Sequence, residues 1–117
     1  MTIYNWEDVK LEQMNPLLGR QAIHCANMTV AMIHLDSGCI VPEHRHANEQ
    51  VSVLLQGRLR FLSEGKEYTI AAGQVLHIPP NAPHSVEALE DSLAMDLFSP
   101  AREDWRSGDD AYLRGPK

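Results

Sequence analysis

Through most of the chain, apolar residues arrive in short runs separated by turn-forming residues, and no run keeps the helical period. The runs predict extended segments over Leu17–Cys25, Met28–Leu35, Val41–His44, Gln50–Gln56, Arg58–Leu62, Lys66–Ile70, Val75–Ile78, His84–Ala88 and Leu93–Phe98. Ala26-Asn27, Asp36-Ser37-Gly38, Gly57, Glu64-Gly65, Ala72-Gly73, Pro79-Pro80-Asn81 and Glu90-Asp91 punctuate them. Alternation assigns faces: Leu59 and Phe61 share one side of a strand, Arg58 and Arg60 the other. Closely spaced strands with such turns predict an all-β, antiparallel sandwich or barrel with its core over about 17–98. Near the end, Ser99-Pro100-Ala101-Arg102-Glu103-Asp104-Trp105 offers a cap, a proline at the first helical position and acidic residues, predicting a short helical turn over about 100–105. Residues 107–117 are polar and contain Gly and Pro, and predict a loosely held tail.

Composition narrows the classes. A chain of 117 residues makes one domain able to bury a core without staples. The net charge of −6, with Lys and Arg scattered, excludes a nucleic-acid surface, which needs a basic stripe against phosphates. No apolar stretch reaches the ~20 residues that span a bilayer. The N-terminal stretch lacks a charged start followed by an apolar run, which predicts no secretory leader and a cytoplasmic protein. Cys25 and Cys39 do not make a disulfide framework and are expected to be two small buried hydrophobes.

Histidines change the picture. His44 and His46 are two apart, so an extended backbone points both imidazoles the same way. His84, after Pro83 at the start of a strand, supplies a third imidazole aimed inward by its rigid approach. Continuing the strand from His46 places Gln50 on the ligand face and Glu49 on the other, unless a bulge reverses them. The expected set, His44, His46, Gln50 and His84, is neutral, so one divalent transition metal ion (Zn, Ni, Mn, Fe, Co or Cu) keeps its full charge there. That favours an anionic ligand and Lewis-acid chemistry. His24 and His34 are expected to be structural or exposed, and His77 is a candidate cavity residue.

At these residues the chain resembles the cupin superfamily. Gly38, His44 and His46 with Gly57 fit its first motif, and Gly73, Pro79 and His84 fit its second. Asn81 stands where glycine is common, and Gln50 where many cupins use Glu; Asn tolerates left-handed backbone, so the turn should survive. The resemblance implies a single cupin domain over 1–117, a double-stranded β-helix or jelly-roll barrel.

Downstream, Leu93–Trp105 is similar to the C-terminal signature of the pectin-degradation cupins, which linearise 4,5-unsaturated uronates released by pectate and alginate lyases. Their active-site Asp, Phe and Arg match Asp96, Phe98 and Arg102. This implies a small anionic substrate such as a sugar acid, with Asp96 moving a proton, Arg102 holding the carboxylate and Phe98 packing the sugar face. Arg60 joins the substrate-binding set if its strand face lines the cavity. The same motifs also suit an iron- or copper-dependent dioxygenase, an isomerase of another sugar or keto acid, or a non-catalytic sugar-binding module. Small cupins pair through N-terminal strands, which would make a homodimer with Tyr4, Trp6, Val9 and Leu11 at its edge and Trp105 nearby.

Overall fold

Alternation along the strands builds two antiparallel sheets that face each other. The computed structural model describes residues 1–114. Its strands are β1 (Glu12–Asn15), β2 (Leu18–His24), β3 (Thr29–Leu35), β4 (Ile40–His44), β5 (Glu49–Gln56), β6 (Arg58–Ser63), β7 (Lys66–Ala71), β8 (Val75–Ile78), β9 (His84–Ala88) and β10 (Ser92–Ser99). Six strands pair in the order β1-β2-β3-β10-β5-β8 and four in the order β4-β9-β6-β7. This is the two-sheet jelly roll that the strand pattern and the resemblance implied. None of the described helices is long and apolar enough to cross a membrane.

The inward faces follow period two. On β6, Leu59 and Phe61 are buried while Arg58 and Leu62 face out. On β5, Gln50, Ser52 and Leu54 point in, and on β10, Ser92, Ala94 and Phe98 do. Leu18, Ala31, Leu35, Val41, Leu54, Leu59, Phe61 and Phe98 meet in one cluster between the sheets. Burying such side chains is the main favourable term, about 25 cal/mol per Å² of apolar surface. Gln50, Ser52 and Asp96 are grouped toward one end of the paired strands β5 and β10, where the candidate site lies.

Turn geometry matches the residues that make it. Glu64 and Gly65 both take positive φ (50° and 79°) between β6 and β7, as a two-residue hairpin with a mirror-type turn requires. Asn81 adopts a φ of 64°, so the asparagine does carry the left-handed turn. Gly57, at φ 91°, joins β5 to β6 where any Cβ would run into Ser92 and the Asp91 carbonyl.

Four expectations are corrected. First, β1 is absent from the sequence reading: Met14 is its sole buried residue, so Glu12–Asn15 shows no run of apolar positions. Second, the helix α1 covers Glu103–Arg106 rather than 100–105, because Arg102, with non-helical backbone angles, takes the N-cap position. Third, the segment after it is held down. Helix α2 (Ala111–Arg114) buries Leu113, and the buried Asp110 carboxylate accepts hydrogen bonds from Arg20 and Arg114 at 3.0 Å each. The rest of the expected tail, residues 115–117, lies outside the described residues. Fourth, only Cys39 is buried; Cys25 sits exposed at the β2–β3 turn.

Gly57→Ala is expected to cost more than about 2 kcal/mol in urea denaturation, since its Cβ would run into Ser92 and the Asp91 backbone at a backbone angle unfavourable to L-residues. Gly38→Ala, at φ 88° with open space around it, should cost only about 1 kcal/mol.

Candidate metal centre

Strand pairing brings the histidines together. His44 ends β4 and His84 begins β9, and the two are direct cross-strand partners. His46 follows in the β4–β5 connection, and Gln50 reaches the same point from β5 in the facing sheet. The ring centroids of His44 and His84 lie 4.3 Å apart, those of His46 and His84 5.1 Å, and those of His44 and His46 5.7 Å. One ligand nitrogen from each falls within 4.8 Å of the others.

Each imidazole is oriented by backbone. Nδ1–H donates to the Pro42 carbonyl in His44 (2.8 Å), to Asn48 in His46 (3.0 Å) and to Ala82 in His84 (2.8 Å). A proton on Nδ1 leaves Nε2 with a bare lone pair, the arrangement that metal-ligating histidines adopt. Burial lowers the pKa of all three; His44 and His46 fall to about 4, the latter helped by the nearby Arg102 charge, and His84 falls in the same direction. They are neutral donors at physiological pH.

Gln50 completes the set. Its Nε2–H donates to Ser52 Oγ at 2.9 Å, which turns Oε1 toward His46 Nε2 at 3.1 Å. Two acceptors facing each other repel unless a positive charge lies between them, and a divalent cation is what this neutral nitrogen and oxygen set accommodates. The residues therefore fit a metal ion. Glu49 faces the other way, where its Oε2 accepts from His77 Nε2 at 2.6 Å. His77 is thereby turned away from the ligand set, lining a second cavity of about 250 Å³ beside β7 and β8 that Phe61 and His84 also border.

A central cavity of about 60 Å³ is bounded by His44, Gln50 and His84 together with Asp96, Phe98 and Arg102. Asp96 pairs across β10 with Ser52 of β5, and Phe98 with Gln50. Part of Asp96 opens to the cavity, yet its Oδ1 is shut off from solvent with no hydrogen-bond partner among the described residues. Burial pushes its pKa up to about 6, against the opposing pull of the Ser52 hydroxyl and the Arg102 charge. Arg102 is 1% exposed. Its Nε and Nη2 donate to the two Asp104 oxygens at 2.9 and 2.7 Å, and Nη2 also donates to the Tyr112 hydroxyl at 2.8 Å. Burial works against its charge, but Asp104 more than compensates, so its pKa is raised. Its guanidinium lies 4.7 Å from the Phe98 ring centre and 4.3 Å from that of Trp105.

Arg60 is not brought to this site. Strand parity turns Leu59 and Phe61 inward and leaves Arg60 on the outer face, paired with Glu87 at 2.5 Å and Glu67 at 3.6 Å. His24 and His34 also stay outside, bonded to Thr29 and Gln21. Conversely, the sequence reading missed Ser52, Asp104 and Tyr112. Ser52 carried a signal, since it shares parity with Gln50; Tyr112-Leu113 was an apolar pair within an otherwise polar end.

Comparison with known proteins places this geometry. Residues 31–99 match the model of the Cupin domain family. KdgF from Halomonas sp. superposes with a TM-score of 0.82 at 26% identity, covering 89% of this chain and 99% of that one. An RmlC-like cupin from Shewanella frigidimarina NCIMB 400 gives 0.83 at 26% identity, covering 90% and 96%. A mutant of the Bacillus subtilis oxalate decarboxylase OxdC, at 19% identity and a TM-score of 0.68 over 86% of this chain and 30% of that one, shares the fold. No curated protein matches the chain.

Two outcomes follow from these electrostatics. Zinc or nickel should raise the unfolding midpoint of metal-free protein, and His84→Ala should abolish that rise. In metal-free protein, Asp96→Asn should stabilise at pH 8 by up to about 3 kcal/mol, because the carboxylate is held roughly two pH units above its ordinary 3.8 and is ionised there at a cost. That gain shrinks as pH falls from 6 toward 3.8. The histidines act oppositely: neutral when folded, they add stability above 6.5 that is lost as pH drops toward 4, so the variant should show the steeper acid loss in thermal melts.

Proposed function

The chain belongs to the cupin family, and on that footing we propose that it is a metal-dependent enzyme that opens and tautomerises 4,5-unsaturated uronates from pectin or alginate breakdown. The observation that carries this reading is Asp96: a carboxylate with an unsatisfied, desolvated oxygen shares one cavity with a neutral donor set and a fixed guanidinium. A buried charge without a full set of partners is expensive, and an acid–base role is the natural reason to keep one. The match of Asp96, Phe98 and Arg102 to the pectin-degradation cupins supports the same substrate class.

A divalent ion held by His44, His46, His84 and Gln50 supplies Lewis acidity toward a substrate oxygen. The remaining work belongs to side chains. Asp96, with a pKa of about 6, is ionised at neutral pH and accepts the proton of the anomeric hydroxyl. The ring carbon–oxygen bond breaks as the carbonyl forms, and the same proton returns to the carbon of the former double bond, leaving an open-chain keto form. No oxidant is consumed. Arg102 has its Nε and Nη2 engaged, and among the described residues its Nη1 has no partner; that nitrogen is available to a substrate carboxylate. Phe98, edge-on to His46 with centroids 5.8 Å apart, offers an apolar wall to the sugar face.

The homodimer and the cytoplasmic site of action belong to the same proposal. Gln21 pins the N-terminal segment by donating to the Trp6 and Val9 carbonyls, yet Ile3, Tyr4 and Leu11 remain exposed and are available to a second copy. Light scattering on the eluted protein should give twice the chain mass.

Loss of the ultraviolet absorbance of an unsaturated uronate measures the reaction. Asp96→Asn and His46→Ala should each slow it at least a hundredfold, and a chelator should abolish it until metal is restored. Full activity in either variant would overturn the scheme, and oxygen uptake with substrate would place the protein among dioxygenases instead.

A further inference from the structure

The two sheets leave two lateral gaps, one between edge strands β7 and β8 and one between β1 and β4. Helix α2 packs against β1 and β4 and closes the second. It is held there by side chains rather than by sheet pairing. Asn15 Nδ2–H donates to the Leu113 carbonyl at 2.8 Å, and the Asp110 carboxylate bridges Arg20 and Arg114. The cavity behind it, about 60 Å³, admits a few waters.

Tyr112 and Leu113 are the residues this cap presents inward, and Tyr112 carries the polar group. Its ring stacks on His44 with centroids 4.4 Å apart and an interplanar angle of 27°. Its hydroxyl oxygen accepts from Arg102 Nη2–H at 2.8 Å and from Trp105 Nε1–H at 3.2 Å. A phenolic oxygen with two donors on it still has its own O–H to place. Among the described residues no acceptor takes that proton, and Tyr112, Arg102 and Trp105 all border the central cavity.

We propose that Tyr112 is a substrate-contacting residue of this site, whose O–H donates to an anionic oxygen of a small carboxylate ligand and so couples ligand binding to closure of the α2 cap. The ligand class rests on the proposed reading of the site as one for small acids, but any carboxylate satisfies the chemistry. Arg102 binds the tyrosine oxygen through Nη2, so the two groups present a paired donor surface to one anion. Its formation requires α2 to be seated.

The test uses zinc-loaded full-length protein with galacturonate, pyruvate and oxalate as probes, read by calorimetry and by amide hydrogen exchange. At least one probe should bind wild type and slow exchange over residues 107–114. Tyr112→Phe, which keeps the ring on His44, should weaken that probe about tenfold and lose the ligand-induced protection, while zinc affinity stays unchanged and the thermal midpoint falls only modestly, since Arg102 and Trp105 lose one acceptor. Tyr112→Ala should lose the stacking as well and show a lower midpoint. Binding of oxalate or pyruvate but not galacturonate, with the Tyr112→Phe effect intact, would retain the coupling and remove the uronate reading. Wild-type affinity and protection in Tyr112→Phe, failure of every probe to bind wild type, or ligand-induced protection confined to β7 and β8 would each overturn the proposal.

Discussion

The site depends on electron-pair donors held against one another inside a space that excludes bulk water. Three Nε2 lone pairs and the Gln50 amide oxygen converge where β4 and β9 of one sheet meet β5 of the other. Such a cluster is electrostatically uphill in isolation and becomes favourable once a cation occupies its centre. The supporting shell is arranged to prevent escape from that conflict. Backbone carbonyls hold each Nδ1 proton, and Ser52 fixes the amide of Gln50. None of the three rings can relieve the crowding by rotating without giving up a hydrogen bond.

The same desolvation acts on Asp96, on the strand paired with β5. Asp96 is raised in pKa chiefly by burial, while the Ser52 hydroxyl and then the Arg102 charge pull it back toward the ionised form. Arg102 is itself kept charged by Asp104 and seated on the faces of Phe98 and Trp105. The short helix α1 therefore supplies both a counter-ion and an aromatic platform, although it is only four residues long. Burying the Asp96 carboxylate costs stability when it is ionised, a cost that sites doing chemistry commonly carry.

Strand faces were legible because period two is strict: Leu59 and Phe61 must share the side opposite Arg58 and Arg60, and Gln50 the side opposite Glu49. That rule placed Gln50 inward and should have removed Arg60 from the substrate-binding set, since its own neighbours Leu59 and Phe61 had already claimed the interior. The three histidines were legible by spacing and by their resemblance to cupin motifs. Less legible was β1, where one buried methionine among polar residues leaves no periodic signal. The cap was hidden for a different reason. Asp110, Tyr112 and Leu113 read as a polar ending, and their burial comes from Arg20, His44 and Trp105, distant in the chain.

Periodicity and turn chemistry within the sequence were sufficient to determine the all-β architecture, the inward or outward side of most residues, and the existence of a histidine-rich centre. These are local properties, set by backbone geometry over a few residues. Only the tertiary structure decided that Arg102 is clamped by Asp104 and Tyr112, that one oxygen of Asp96 is left without a partner among the described residues, and that α2 packs beside the site. Burial and pairing are consequences of which distant segments pack together, and they alone set the charge, reactivity and access of groups the sequence could merely name.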